Sequence, residues 1–283
     1  MNSETKKESR SRLIWISSIC GSLIIISSLY MINVSSGIAN FSNTISLPVY
    51  TIIPGTLVIL SIWAVTKPES IQDLPRKSLV FLMLSFLCWF LAEQTWNLYE
   101  HVLEIDPYPS IADFFYLAAP LFMFISLTIF LKSTIKKISK IQILIASIIS
   151  SLILTASLIF TIDFETETDL FEIIIGTAYP IADSILLVPA IITILFLVRN
   201  KKSFFWIMIL SGIIIMLAAD TIFLFLVVND GYIDGHPVDI LWVSSYTIWM
   251  FMMFYAITGS NTNNAKYKHT EIYKKEDPKN IER

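Results

Sequence analysis

Eight apolar runs, each long enough to cross a hydrocarbon layer and free of Lys and Arg apart from Lys140 at the edge of the fifth, set the limits on what this chain can become. They cover residues 13–33, 47–66, 78–102, 112–131, 138–162, 171–198, 203–228 and 239–258. A helix needs about 20 apolar residues to cross a bilayer core of about 30 Å. No water is available there to bond amides and carbonyls, so each run must satisfy its backbone internally, as a helix. Composition agrees: 55% of the residues are hydrophobic and 15% charged, against about 25% charged in a soluble domain. The expected fold is all-α, a polytopic helix bundle in a cell membrane with the lipid bilayer as partner. Residues 1–12 read as a cytoplasmic N-terminal tail, 13–260 as the transmembrane helical domain, and 261–283 as a disordered cytoplasmic tail of mixed charge. The net charge of −3 offers no basic face to nucleic acid. Cys20 and Cys88 lie inside apolar runs without metal-like spacing and read as buried, inert thiols.

Orientation follows the basic residues, which stay on the cytoplasmic side. They fall before the first run (Lys6, Lys7, Arg10, Arg12), after the second (Lys67, Arg76, Lys77), after the fourth (Lys132, Lys136, Lys137, Lys140), after the sixth (Arg199, Lys201, Lys202) and after the eighth. The four intervening connections hold no Lys or Arg and are neutral or acidic. Eight spans with both termini inside satisfy this pattern. The first run, preceded by basic residues, also matches a secretory signal with a cleavage site near Gly37-Ile38-Ala39. Its length exceeds the usual signal core of roughly 7–15 residues, which favours an uncleaved anchor.

Helices three and four resemble helices seven and eight. At an offset of 126 residues Ser85 meets Ser211, Leu91 meets Leu217, Ala92 meets Ala218, Thr95 meets Thr221, Leu98 meets Leu224, Val102 meets Val228 and Asp113 meets Asp239. Both pairs run in the same direction, so the expected repeat is parallel. Ile111-Ala112-Asp113 also recurs as Ile181-Ala182-Asp183.

Among the carboxylates in or at the edge of the runs, five are singled out: Glu93, Asp113, Asp183, Asp220 and Asp239. A rise of about 1.5 Å per residue places all five roughly 24–28 Å from the basic side, in one layer toward the outside. Ser110 and Asp113 have capping-box spacing, and His236-Pro237-Val238-Asp239 puts an acid in the first turn of helix eight. Those two acids have a ready structural role. Glu93, Asp183 and Asp220 do not; acids at such depth usually face the bundle interior and mark ligand, ion or proton sites. Pro180 is expected to kink helix six one turn before Asp183. No basic residue within the runs neutralises the layer, so bound protons or a cation must. Trp96, Tyr116 and Trp242 sit at the same level. They read either as part of an interfacial aromatic belt or as walls of a pocket for a small cationic or amphipathic ligand. His101 and His236, at the outer rim, are the candidate metal ligands. A zinc site needs about three protein ligands, so Glu93, Asp220 or Asp239 would have to complete the set. No cofactor is named by the sequence.

Pro109-Ser-Ile-Ala-Asp-Phe-Phe-Tyr-Leu117, preceded by Glu93-x-x-Trp96, is similar to a segment of the membrane-embedded N-terminal input regions of bacterial diguanylate cyclases and sensor kinases. Tyr179-Pro-Ile-Ala-Asp183, Ala219-Asp220 and Asp239-Ile-Leu-Trp242 resemble later motifs of the same regions, so the likeness spans residues 78–255. It implies a sensory role without a defined chemistry. Members of that group carry a cytoplasmic signalling domain. Here the residues after the last run include no Gly-Gly-Asp-Glu-Phe loop and no kinase core, so the expectation is a stand-alone module signalling to a separate cytoplasmic partner. Two other functions compete: a transporter or proton-coupled carrier using the intramembrane carboxylates, and an intramembrane metal-dependent enzyme. Apart from Lys140 at the edge of the fifth, the inner halves of the runs hold no acidic or basic residue, which counts against an ion path.

Overall fold

The computed structural model of the chain describes residues 3–38, 40–67, 74–135, 138–161, 170–200, 204–229, 231–233 and 235–276. Ala39, Lys136, Lys137, Lys201, Lys202, the acidic connection 163–169, Asp230, Asp234 and residues 277–283 lie outside the described residues. Eight helices follow one another: α1 (Ser3–Ser36), α2 (Leu47–Thr66), α3 (Arg76–Asn97), α4 (Ile111–Thr134), α5 (Lys140–Thr161), α6 (Leu170–Asn200), α7 (Phe204–Val228) and α8 (Asp239–Glu276). Each contains a stretch long and apolar enough to cross a membrane, so the chain is all-α and built as a multi-pass membrane protein. Two helices are extended by π-helical turns, Ser42–Ser46 ahead of α2 and Leu98–Leu103 after α3. α8 continues to Glu276, past residue 261 where the sequence reading begins a disordered tail. The apolar helix before that point is already nucleated, so extension adds one bond per residue without a new nucleus.

Polar side chains inside the bundle define how the helices run. Ser78 Oγ donates to the Ser126 carbonyl and Ser126 Oγ to the Ser78 carbonyl, both at 2.8 Å, while Ser85 Oγ donates to the Ala119 carbonyl at 2.8 Å. Number rises along α3 as it falls along α4, so the two are antiparallel. Trp242 to Asp220 and Trp249 to the Ile209 carbonyl establish the same for α7 and α8. Tyr50 bonds the Asp239 carbonyl and Lys67 the Ile257 carbonyl, so α2 and α8 are parallel. The small serine side chains of α3 and α4 let the two helices approach and bond across the gap.

α1 lies at the edge of the bundle, its Trp15 against the rings of Phe251, Phe254 and Tyr255. Many large apolar side chains face outward, including Ile24, Ile52, Ile59, Leu152, Ile207 and Ile214. Apolar surface on that scale is excluded from the exterior of a soluble monomer and is the surface lipid covers. The interior is centred on Trp249, which is fully buried, stacks on Trp89 with centroids 4.9 Å apart and contacts Phe86 at 5.4 Å.

That indole leaves no room on α7. A Cβ built on Gly212 would collide with Trp249 Nε1. Gly212→Ala is therefore expected to force α7 from α8 and destabilise the bundle by roughly 1–3 kcal/mol. Gly21→Ala, whose Cβ would meet nothing within 4 Å, should be neutral. Unfolding midpoints of the two variants in detergent check the difference.

Candidate functional site

Helical spacing puts Glu93, Asn97 and Glu100 on one face of α3 and its π-helical extension, with Trp96 beside them. These four line an internal cavity together with Ser46, Tyr50, Tyr116, Tyr179, Asp220, Phe223, Tyr232 and Trp242. The cavity offers about 50 Å³ to the centres of water-sized molecules, several times the ~10–15 Å³ that one water needs. Of the residues singled out in the sequence, Glu93, Trp96, Tyr116, Asp220 and Trp242 line this space. Both π-helical turns supply a wall residue, Ser46 and Glu100. Such turns are rare and often sit at functional sites.

A second, narrower cavity of about 10 Å³ lies against the first. Asp183 and Asp220 line it with Tyr116, Tyr179, Trp89 and a floor of Leu186, Ile213, Met216 and Leu217. Tyr116, Tyr179 and Asp220 belong to both spaces. Four of the five predicted acids are held by an aromatic donor. Tyr246 Oη donates to Glu93 Oε1 at 2.6 Å and Trp242 Nε1 to Asp220 Oδ1 at 2.7 Å. Tyr179 Oη donates to Asp113 Oδ1 at 2.6 Å and Tyr232 Oη to Asp239 Oδ1 at 3.3 Å. Trp96 Nε1 adds a bond to Glu100 Oε2 at 2.8 Å. Asp183 has no hydrogen-bond partner among the described residues.

Asp113 and Asp239 line neither cavity. Asp113 closes the capping box of α4: the Ser110 N–H donates to Asp113 Oδ2 at 2.6 Å, and Ser110 Oγ accepts from the Ala112 N–H at 3.1 Å. Asp239 opens α8 and accepts the Gly235 N–H at 2.9 Å. Gly235 has φ +81° and its missing Cβ would collide with Asn33 and Phe41, so glycine is required there. Both acids stand behind the cavity wall and fix the tyrosines that form it.

Phe223 is the hub of that wall. Its ring meets Trp96 at 5.9 Å, Tyr108 at 6.0 Å, Tyr232 at 4.8 Å and Trp242 at 5.3 Å, all edge to face. Phe223, Tyr179, Tyr232, Asn97 and Glu100 are wall residues that the sequence reading does not select. For four of them spacing carried a signal: Tyr179 is one turn before Asp183, Phe223 one turn after Asp220, and Asn97 and Glu100 one and two turns after Glu93.

The candidate metal ligands are placed elsewhere. His101 Nε2 bonds Ser42 Oγ at 3.3 Å, and His236 Nδ1 accepts the Val238 N–H at 3.1 Å. Neither lines a cavity, and among the described residues no group of three His, Cys, Asp or Glu is arranged to hold a metal. No Lys, Arg or His lines either space. Compared with family models, curated proteins and solved structures, the chain matches none.

His236 lies in the loop before α8, and burial lowers its pKa below the ordinary value of 6.5. Burial disfavours the imidazolium, and the charged ring would lose the bond from Val238. Below about pH 6.5 the unfolded chain therefore binds more protons than the folded one, and stability rises with pH across that window. This contribution is complete above about pH 6.5 and is lost as pH falls below it. Unfolding midpoints taken from pH 5 to 8 should show a shallower acid-side decline in His236→Ala than in the parent chain.

Proposed function

We propose that the chain is a membrane-embedded ligand-binding module of the sensory type, whose pocket opens outward and takes a small organic cation. The observation that carries this reading is the wall of the wider cavity. It combines the carboxylates Glu93, Glu100 and Asp220 with the rings of Trp96, Phe223, Tyr232 and Trp242, and its lining includes no Lys, Arg or His. A ring quadrupole attracts a cation over its face, by about 2 kcal/mol or more when the cation is desolvated. Carboxylates in a space of low dielectric add a longer-ranged attraction. An ammonium with an apolar surround satisfies both.

The distribution of basic residues over the connections supports a cavity toward the outer side and termini in the cytoplasm. The likeness to the input regions of diguanylate cyclases and sensor kinases supports a sensory role, with the signal passed to a cytoplasmic partner. The parallel repeat fits the same picture. Asp113 and Asp239, equivalent in the repeat, each accept one tyrosine hydroxyl and one backbone N–H near the start of a helix. Three residues on from each, Tyr116 and Trp242 both line the cavity.

A carrier would need a path to the basic end. Beyond the narrower cavity the bundle is filled by buried apolar side chains such as Leu82, Phe86, Ile209 and Met252, which favours binding over transport. A metal-dependent enzyme is not favoured by any cluster of ligands among the described residues.

Tetramethylammonium titrated into the purified chain should change tryptophan fluorescence, since Trp96 and Trp242 form the wall. Asp220→Asn should weaken the affinity at least tenfold, which is about 1.4 kcal/mol. Unchanged fluorescence up to high millimolar tetramethylammonium, choline and alkylammonium ions would reject the reading.

A further inference from the structure

The two cavities meet at Asp220. On one side it faces the ring-lined space, and on the other it shares a space of about one water with Asp183. The groups that face this pair can be named element by element. α2 brings Tyr50, α3 with its π-helical extension brings Glu93 and Glu100, α4 brings Tyr116, α6 itself brings Tyr179, the loop before α8 brings Tyr232, and α8 brings Trp242 and Tyr246. α5, packed on both α6 and α7, contributes Ser150 to the Ser184 carbonyl and Ser157 to Thr221, and its residues from 141 to 159 carry no charge. The surroundings are thus acids, hydroxyls, an indole and apolar walls.

Like charges so close in an apolar bundle repel, and among the described residues no Lys, Arg or His lines either space to offset them. Charge balance leaves two states. Either the acids hold a proton in common, or a bound cation takes its place. Asp220, lining both spaces, is the group through which one state excludes the other. Resting on the reading of the wider cavity as an organic-cation pocket, we infer that the protein takes up its ligand in exchange for a proton from the Asp183–Asp220 pair. The exchange balances simply. The O–H bond of one carboxylic acid breaks, the proton leaves to water, and the ammonium neutralises the carboxylate left behind. No electron moves. The pocket therefore reports cation concentration and pH together: acid empties it and alkali fills it.

The test uses the full chain in detergent or nanodiscs with tetramethylammonium as the probe. Calorimetric titrations at one pH in two buffers of different ionisation enthalpy count the protons released, and titrations from pH 5 to 9 give the slope of affinity. About one proton should be released per cation. The association constant should rise up to tenfold per pH unit, until it levels off where the pair has lost its proton. Asp183→Asn removes the partner that keeps the proton on the pair. It should flatten the slope and raise affinity at acid pH, an outcome that mere structural damage would not produce. Binding with no proton released and no pH slope in the parent chain would overturn the exchange while leaving the cation pocket in place. No binding at any pH would overturn both.

Discussion

A carboxyl group inside a bilayer has no water to solvate it, so the surrounding helices must supply its hydrogen bonds. Here the donors are aromatic. Tyr246 on α8 reaches Glu93 on α3, Tyr179 on α6 reaches Asp113 on α4, and Trp242 on α8 reaches Asp220 on α7. Each such bond joins two helices at one level and fixes the rotation of both. Each also leaves a ring standing beside a carboxylate. The cavity is what remains between these pairs: bulky rings held by short bonds to acids cannot close over the space they enclose. Removing any one donor would free a helix to turn and strand an acid at the same time.

The other half of the bundle is organised by closeness. Serine hydroxyls bond carbonyls of the facing helix at Ser78, Ser85 and Ser126, and Gly212 lets Trp249 lie directly on the α7 backbone. Without a hydrophobic driving force between helices in lipid, close contact and interhelical hydrogen bonds hold them together. The chain thus has an apolar, tightly filled half and a half kept open by polar pairs.

Much of this was legible in the sequence. The spans follow from length and apolar content, and the Ser110–Asp113 cap from its spacing. Their rotation was not legible. In a soluble helix the polar face marks the outside, but here a lipid-facing Ile207 and a buried Ile209 look alike. Depth could place Glu93, Asp183 and Asp220 at one level but could not aim them at one another. For the same reason Phe223 read as one more apolar residue of α7. Asp113 and Asp239 carried both a capping signal and a place in the acid layer, and the structure puts them behind the wall. The π-helical turns that present Ser46 and Glu100 left no mark, because a widened turn depends on tertiary contacts more than on local preference.

α8 is a single helix from Asp239 to Glu276, and its first two turns carry Trp242 and Tyr246. At about 1.5 Å per residue its 38 residues make a rod of roughly 57 Å. Pivoted at the cavity, such a rod would be one long arm. A tilt of one degree about that end would carry the far end about 1 Å sideways, so a change of a few degrees around Asp220 would shift the far end by several ångströms.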